Sequence, residues 1–263
     1  MHTRYSRAAN IITYNMKQKK IHIYGKHAVR EALTHARHLV QAVYLSPQMD
    51  DRDLLSLIKA KGLDPQKIDP QKVSSWVEGG APHQGIIARV SAHGLTTPFD
   101  EFIKTFKATP NTLLVYLDGV QDPHNVGTII RAAAAFGATA ILLPEHAQSP
   151  ITGAVVKTSA GAAFSVPLIS VPNGQQALAQ LKKAGVTILG LAGEGSANIV
   201  HESFATPTLF VLGNEADGIS GSARALCDRM VTIPISSHVE SLNVASAATA
   251  ALFAWSSKHA PEQ

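Results

Sequence analysis

The sequence has too little cysteine for disulfide or cysteine–zinc chemistry, and it lacks a long apolar run. Cys227 is the only cysteine among 263 residues, which excludes an internal disulfide and a cysteine-rich zinc site. No stretch approaches the roughly 18 consecutive apolar residues that a membrane span needs. The N-terminus also lacks the apolar core of an export signal. We therefore expect a protein of the reducing cytoplasm that has no membrane partner.

Charged residues are scarce as well, and they are unevenly distributed. They make up 16% of the chain against 45% hydrophobic residues, which predicts a sizeable core and little disorder. Residues 1–40 hold eight Lys or Arg against one acid, Glu31, so that their net charge is +7 while the rest of the chain sums to −3. This asymmetry indicates either a polyanionic partner or a solvated basic tail. Residues 1–20 show no clear period, and we expect a flexible basic extension there.

The chain divides into two parts with different patterns. Residues 21–95 alternate short strand and helix patterns, as is typical of a small α/β domain. Residues 96–111 contain two prolines and are predicted to be a linker with one or two helical turns. Residues 112–258 alternate continuous apolar strands with helical stretches, which predicts a parallel sheet covered on both faces. The predicted fold class is α/β, with a C-terminal parallel-sheet domain behind the small domain.

Three predicted strand ends in the C-terminal part carry polar residues in apolar surroundings. The first precedes the helix of Arg131 and contains Asn125, and the second is the loop around Glu215. The third leads into the last helix and contains Ser241 and Asn243. Ligands of open α/β sheets bind at the carboxyl ends of the strands. These loops are therefore candidates for one binding site.

Most of these residues also admit a purely structural interpretation. Arg131, which shares a helix face with Gly127, can meet a planar anion such as phosphate or pair with a buried carboxylate. Glu215 stands between Gly213 and Gly218, in a loop suited to close approach of a ligand, or it is an ordinary helix-start acid. The sequence alone leaves both pairs of alternatives open.

The last helical pattern begins with polar residues whose roles differ. Ser241 is either a helix cap or a ligand contact, whereas Asn243, between Leu242 and Val244, needs hydrogen-bond partners if it is buried. Motifs for other chemistry are missing, because the sequence has no GxGxxG after its first strand and no GxxxxGK[ST] or GxSxG. It has no HExxH and no tight Cys/His cluster either, and we predict no metal site.

The three loops together resemble the three motifs of the SpoU/TrmH family of RNA ribose 2′-O-methyltransferases, within the SPOUT superfamily. The motifs are LDGVQDPHNVGTIIRAA (117–133), LFVLGNEADGIS (209–220) and IPISSHVESLNVASAATAALF (233–253). VVKTSAGAAFSVPL is similar to the family's segment between the first two motifs. IYGKHAVREAL and HQGI resemble its small substrate-binding domain, which is like ribosomal proteins of the L30e type. The layout of about residues 21–258 is similar to the bacterial 23S rRNA guanosine 2′-O-methyltransferase subfamily.

The resemblance implies a deep trefoil knot within residues 112–258, S-adenosylmethionine as cofactor, and no metal. It also implies an RNA substrate-binding domain of the L30e type at residues 21–95, and a homodimer with the active site at or near the subunit interface. The implied catalytic residues are Asn125, Arg131, Glu215, Ser241 and Asn243. The implied cofactor contacts, made largely through backbone groups, are Leu212, Gly213, Gly218, Ile233, Leu242 and Val244.

The implied reaction moves a methyl group from S-adenosylmethionine to a ribose 2′-hydroxyl of RNA, with a guanosine of 23S ribosomal RNA as the target. Asn125 and Glu215 would orient Arg131, which acts either as the base or as a cation that stabilises the developing alkoxide. The alternatives are a tRNA target, an adenosine target as in resistance-type rRNA methyltransferases, and a non-catalytic RNA-binding or ribosome-assembly protein. Intact Arg131, Glu215 and Asn243 argue against the non-catalytic alternative.

Overall fold

The computed structural model describes residues 20–195 and 197–259, which form two compact units. The smaller unit consists of the described residues up to Leu95 together with Pro150–Ser165. The larger unit consists of Thr96–Ser149 and the described residues from Val166 onward. The basic extension expected at residues 1–20 lies, except for Lys20, outside the described residues. No helix within the described ranges is long and apolar enough to cross a membrane.

The smaller unit is built on a four-stranded sheet with the strand order β1-β4-β2-β3. Elements are numbered in chain order, and those of this unit are β1 (Lys20–Tyr24), α1 (Lys26–His35), β2 (Val40–Leu45), α2 (Arg52–Ala60), β3 (Gln66–Lys67), α3 (Pro70–Trp76), β4 (Ile86–Ser91) and α6 (Gly153–Thr158). Short 3₁₀ turns occur at Arg37–Leu39, Glu78–Gly80 and Ala162–Phe164. Both β1 and β2 pair antiparallel with β4. Sequence patterns predicted β1, β2 and β4, but β3 is too short to show a period.

Helix α6 joins the smaller unit although its sequence lies between strands of the larger one. A Cβ atom at Gly153 would stand 2.2 Å from the carbonyl oxygen of His22, and a Cβ at Gly161 would stand 2.6 Å from Cβ of Glu31. Glycine at both positions therefore permits a close approach to β1 and α1. The boundaries of the compact units therefore differ from the predicted ones. Residues 150–165 were predicted to belong to the domain of residues 112–258, but they pack with the N-terminal part.

The larger unit contains an eight-stranded sheet with the order β10-β12-β9-β11-β6-β7-β8-β5. Its strands are β5 (Thr97–Pro98), β6 (Leu113–Asp118), β7 (Ala140–Pro144), β8 (Leu168–Val171), β9 (Thr187–Leu191), β10 (Ala197–Asn198), β11 (Thr208–Gly213) and β12 (Arg229–Thr232). Its helices are α4 (Phe99–Thr105), α5 (Pro123–Ala135), α7 (Gly174–Lys183), α8 (Gly221–Arg224) and α9 (Val244–Ser256), with a 3₁₀ turn at Ile199–His201. Every pairing in this sheet is parallel, which confirms the predicted α/β class.

Buried apolar strands hold this sheet in the centre of its unit. Leu113 and Leu117 of β6 are 0% exposed, as expected for a parallel strand covered on both sides. Helices α4, α7 and α8 contribute Phe99, Leu178 and Ala223 to one core cluster over the strands. Helix α5 packs against α9. The trefoil knot implied by the resemblance concerns how the chain threads through this unit, and it stays a prediction.

The predicted linker at residues 96–111 is more ordered than expected. Thr97 and Pro98 pair with β8 and add the last strand of the sheet, and α4 follows them directly. Proline has no backbone N–H to donate, which suits an edge strand. Phe99 then anchors α4 in the core at 4% exposure. A two-residue strand has no apolar alternation, so the sequence pattern could not reveal it.

Candidate active site

The three loops predicted from the sequence emerge from β6, β11 and β12. Strands β6 and β11 are direct neighbours, and β12 lies next to β11's other neighbour, β9. These strands run in the same direction, so their carboxyl ends lie at one edge of the sheet. Helix α5 begins after Asp122, whose carboxylate accepts a hydrogen bond of 2.9 Å from His124 N. This cap sets the start of the helix and thereby positions Asn125 in its first turn.

A chain of side-chain hydrogen bonds joins all three loops. Asn125 Nδ2 donates to Glu215 Oε1 at 2.6 Å, and Asn243 Nδ2 donates to Asn125 Oδ1 at 3.0 Å. Asn243 Oδ1 accepts from Ala245 N at 2.8 Å and so caps α9. Asn125 is only 5% exposed, and both ends of its amide are satisfied. Asn243 is therefore both the cap of the last helix and a partner of the first motif, although it is exposed, whereas Ser241, which is also exposed, is not the cap.

Arg131 does not belong to this hydrogen-bonded chain. It lies six residues after Asn125, so its side chain leaves the helix about 120° away around the axis. Asn125 faces the interior, whereas Arg131 is exposed. Among the described residues Arg131 forms no side-chain hydrogen bond or ion pair, so neither a buried carboxylate nor Glu215 holds it. The expected orientation of Arg131 by Asn125 and Glu215 is thus not seen within one chain, and its catalytic role stays a prediction.

The second loop is a tight hairpin that leaves Glu215 at its tip. Asn214 and Gly218 exchange backbone hydrogen bonds of 2.9 Å, and Gly218 has a φ of +67°. A Cβ at Gly213 would lie 2.3 Å from the Gly218 carbonyl carbon, so only glycine lets the loop close. Helix α8 begins at Gly221, too far along the chain for Glu215 to lie in its first turn. The interpretation of Glu215 as a helix-start acid is therefore wrong.

Asn214, which was not predicted from the sequence, holds this hairpin in place through its side chain. Asn214 Nδ2 donates to the carbonyl oxygen of Gly119 at 2.7 Å, and its Oδ1 accepts from Ala216 N at 2.8 Å. The signal was present as an Asn ahead of a turn, since Asn commonly binds the backbone two residues further on. The bond to Gly119 ties the second loop to the first, and such a tie cannot be read from local sequence.

A pocket of about 830 Å³ opens between the second and third loops. Nine of the predicted site residues line it, namely Leu212, Gly213, Glu215, Gly218, Ile233, Ser241, Leu242, Asn243 and Val244. Asn125 and Arg131 are not among the lining residues, although Asn125 bonds to two of them. Three exposed apolar side chains border the pocket: Ile235 and Leu242 at 40% exposure and Val239 at 55%. Exposed apolar groups concentrated around a cavity are typical of a ligand site.

An ion pair at the pocket was also missed from the sequence. Arg224 of α8 pairs with Glu194, which follows β9, and both residues line the pocket. A hydrogen bond from its own backbone N–H, and then Arg224, lowers the pKa of Glu194. The stretch GEGSA therefore contributes to the pocket wall, although it has no phosphate-loop lysine. A Cβ at Gly195 would stand 2.5 Å from the backbone of Val231, which explains a glycine in that stretch.

Comparison with known proteins agrees with this geometry. A model described as the SpoU rRNA Methylase family matches residues 112–253. The chain belongs to the SpoU rRNA methylase family. A second model, for RNA 2′-O ribose methyltransferase substrate binding, matches residues 22–95. No group of three or more His, Cys, Asp or Glu side chains that could hold a metal ion occurs in the described part of this family member.

Relatives of this SpoU family member align over nearly their whole length. The 23S rRNA (guanosine-2′-O-)-methyltransferase RlmB of Ralstonia nicotianae is 35% identical over 241 residues, which cover 90% of this chain and 95% of that protein. The protein of the same name from Xylella fastidiosa (strain Temecula1) is 37% identical over 241 residues, covering 90% and 96%.

Solved structures share the fold of this SpoU chain. The SpoU methyltransferase AviRb from Streptomyces viridochromogenes, in complex with AdoMet, superposes with a TM-score of 0.78 at 23% identity and covers 98% of each chain. The AdoMet-bound rRNA methyltransferase from Sinorhizobium meliloti superposes with a TM-score of 0.77 at 20% identity, covering 100% of this chain and 97% of its own.

Proposed function

We propose that this protein transfers a methyl group from S-adenosylmethionine to the ribose 2′-hydroxyl of a guanosine in 23S ribosomal RNA. The observation that carries the proposal is the hydrogen-bonded chain Glu215–Asn125–Asn243, which joins the three family motifs beside the pocket. Relatives named for this reaction align with nearly the whole chain at about one third identity. For this substrate we propose a cytoplasmic location.

The pocket suits a bound S-adenosylmethionine. Leu212, Ile233, Leu242 and Val244 supply apolar contact for an adenosine, and the hairpin closed by Gly213 presents backbone groups to the cavity. These residues would hold the cofactor, while Arg224 and Glu194 border the pocket with opposite charges. When bound, S-adenosylmethionine supplies an activated methyl group with a good leaving group, so that no metal is needed.

The chain's own residues prepare the nucleophile. Asn125 fixes the carboxylate of Glu215, and Asn243 fixes Asn125, so the polar wall is rigid before RNA arrives. Arg131 has a guanidinium with no side-chain hydrogen bond or ion pair among the described residues. We propose that Arg131 binds the neighbouring phosphate and stabilises developing alkoxide charge while it keeps its proton. Ser241, exposed at the pocket, contacts phosphate or ribose.

Methyl transfer to isolated RNA tests this function directly. Purified protein, labelled S-adenosylmethionine and unmodified 23S rRNA should give one 2′-O-methylguanosine, located by mapping of 2′-O-methyl sites. Calorimetry should show S-adenosylhomocysteine binding without RNA, and it should be repeated with RNA present. Methylation of tRNA or of an adenosine would support the corresponding alternative target. Cofactor binding below detection at millimolar ligand under both conditions would overturn the proposal in favour of a non-catalytic RNA-binding protein.

We also propose that the small sheet of residues 21–95 contacts the RNA. His22 of β1 stands opposite Arg89 of β4, and its ring stacks on Trp76 with centroids 4.8 Å apart. Arg89 Nε is buried with no hydrogen-bond partner among the described residues. Burial, then Lys20 and Arg89, lowers the pKa of His22 to about 4, so His22 is neutral at pH 7. Cationic and aromatic side chains on one sheet suit phosphate contact and base stacking.

Replacing Lys20 should change the salt dependence of RNA affinity. If Lys20 neutralises one phosphate, Lys20→Gln should reduce the slope of log K against log [salt] by about 0.7 to 0.9. Binding of a 23S rRNA fragment at several salt concentrations measures this slope. Lys72→Gln is the matched control, because Lys72 already pairs with Asp69. Equal slopes for wild type and Lys20→Gln would contradict the assignment, and S-adenosylhomocysteine affinity should not change in either variant.

We further propose that the protein is a homodimer built on α5 and α9. Helix α9 buries Leu252 and Trp255 within its own chain but leaves Phe253 60% exposed, in edge contact with Phe136 at the end of α5. Arg131 is exposed on α5 as well, so a second copy at this helix pair would bring it to a subunit interface. That arrangement accounts for a catalytic arginine outside its own chain's pocket.

Charge at Phe253 should separate the subunits. Sedimentation of the wild type at micromolar concentration should give the mass of two chains, and Phe253→Asp should shift it towards one, because a carboxylate is costly to bury in an apolar contact. Phe253→Tyr keeps the ring and should remain dimeric. A wild-type mass equal to that of one chain would contradict the proposed dimer.

A further inference from the structure

A second pocket, of about 350 Å³, opens at the carboxyl ends of β6, β7 and β8. The hairpin of the second motif separates it from the cofactor pocket, because Asn214, Asp217 and Gly218 line both. A ligand there would lie immediately beside the proposed site of methyl transfer. The first and second motifs contribute several lining residues, but of the predicted catalytic and cofactor-binding residues Gly218 alone lines this second pocket.

The hydroxyl of Tyr116 is left without a partner in the wall of this pocket. Tyr116 is 4% exposed, and its hydroxyl makes no hydrogen bond within the described residues. A Cβ at Gly174, also in the wall, would stand 2.0 Å from that hydroxyl oxygen, so glycine leaves the space that the hydroxyl occupies. Burial, and then Asp118, raises the pKa of Tyr116. The hydroxyl thus stays protonated at neutral pH and can donate to a ligand.

Two carboxylates lie among the polar groups of the second pocket, which also include Gln121, His146, Asn214 and Ser220. Asp118 uses Oδ2 to accept from Ser220 N at 2.6 Å, and its Oδ1 has no partner among the described residues. The carboxylate of Asp217, at the hairpin, makes no hydrogen bond or ion pair within the same residues. No Lys or Arg among residues 20–195 and 197–259 lines the pocket. This charge pattern disfavours a phosphate and favours an uncharged group that presents N–H donors.

We propose that this pocket binds the base of the nucleotide being methylated, and that it selects guanine. The inference rests on the proposed function. Guanine presents two adjacent donors, N1–H and N2–H, on its Watson–Crick edge, which the Asp118 and Asp217 carboxylates accept. The Tyr116 hydroxyl donates to an acceptor on the same base, such as O6 or N7. Adenine, cytosine and uracil do not present two adjacent N–H donors on this edge. Recognition of this kind requires that the base leave its stack. Proteins that recognise RNA sequence commonly bind bases in this unstacked state.

Replacing the target base alone gives the first test. RNA with guanosine, inosine or adenosine at the mapped position should be compared at saturating S-adenosylmethionine. Inosine lacks only the 2-amino group, so kcat/KM should fall about tenfold, or roughly 1.4 kcal/mol, since one hydrogen bond to a charged acceptor is lost. The value of kcat/KM for adenosine RNA should be lower still. If the wild type methylates none of these RNAs, the proposed function itself fails; if it methylates guanosine and inosine equally well, only the base pocket is wrong.

Variants of the pocket give the second test. Tyr116→Phe should lower kcat/KM for guanosine RNA about tenfold without lowering Tm, because the hydroxyl forms no hydrogen bond with the described part of the chain. Asp217→Asn should also lower kcat/KM and should reduce the discrimination between guanosine and inosine. Asp100→Asn, at an exposed position of α4 outside both pockets, is the matched control and should match wild type. S-adenosylhomocysteine affinity should stay within twofold for Tyr116→Phe and Asp100→Asn, since neither residue lines the cofactor pocket. Full activity of both pocket variants would overturn the inference.

Discussion

Arg131→Lys should lower kcat of methyl transfer about 100- to 1,000-fold, nearly as much as Arg131→Ala, because one preorganised contact to a developing oxyanion is lost. Lysine keeps the charge but not the planar fork that can hold a phosphate and the nucleophile oxygen together. The contact of Arg131 with the nucleophile oxygen is stronger in the transition state than in the bound substrate. Its removal should therefore lower kcat and not only raise KM. Single-turnover methylation at saturating RNA and S-adenosylmethionine measures it.

The structure allows an effect of these substitutions on catalysis to be separated from an effect on stability. Arg131 is exposed and holds no partner among the described residues, so neither variant should lower Tm or cofactor affinity. Arg229→Lys controls for the loss of an arginine fork elsewhere on the surface, since Arg229 is also exposed and donates two hydrogen bonds to Glu202. If Arg131→Lys keeps more than about a tenth of the wild-type rate, a loss below roughly 1.4 kcal/mol, the positioning role is wrong. A parallel fall of Tm and rate would instead indicate a structural role.

Asn125→Asp should be the most damaging isosteric change in the site. Asn125 Nδ2 now lies 2.6 Å from Glu215 Oε1, and the substitution would place a second carboxyl oxygen there. Two carboxylates at hydrogen-bond distance cannot both ionise, so the pKa of the introduced carboxyl is raised in the folded state. We expect a loss of about 2–3 kcal/mol in unfolding free energy at pH 7. The rate of methyl transfer should fall more than about 100-fold at that pH.

The pH dependence of that loss is specific to the carboxyl pair. A raised pKa in the folded state means that the variant approaches wild-type stability below the unfolded value of about 4. Its deficit grows as the pH rises from there through the folded-state pKa. Thermal melting of both proteins between pH 4 and pH 8 should therefore show a widening gap in Tm, whereas Asn125→Ala should show a constant gap.

A second substitution of the same kind provides the comparison. Asn198 caps a 3₁₀ turn by accepting a hydrogen bond from Val200 N at 2.9 Å. Aspartate caps a helix about as well as asparagine, so Asn198→Asp should leave Tm and activity unchanged. An Asn125→Asp variant with wild-type Tm at pH 8 would show that the hydrogen bond to Glu215 contributes nothing to the site.

The main strands and helices of the larger unit were predictable because each satisfies a local rule. The buried apolar runs at Leu113–Asp118 and Thr208–Gly213 have the length and composition of parallel strands, and both form. The two-residue strands were not predictable, because such a strand is defined by its partner and not by a period. The same holds for α6, whose place in the smaller unit depends on close contact at Gly153 and Gly161.

The candidate site was predictable as a set of loops but not as a set of contacts. The sequence identifies Asn125, Glu215 and Asn243 as candidates because they are polar residues at predicted strand ends. Asn125 and Glu215 were expected to orient Arg131. Instead, the amide nitrogen and oxygen of Asn125 form hydrogen bonds with residues of the other two loops. The orientation of Arg131 about 120° away from Asn125 follows from helix geometry once α5 is placed.

The fold class, the family motifs and the residue types at the loop ends can be read from the sequence, because they depend on periodicity and local backbone chemistry. Which of those residues meet depends on how the chain packs in three dimensions. Asn125 and Glu215 are 90 residues apart, and Asn125 and Asn243 are 118 apart. Contacts over such separations are set by the order in which strands assemble in the sheet. The second pocket around Tyr116 arises in the same way, since β6, β7, β8 and the hairpin meet there only after folding.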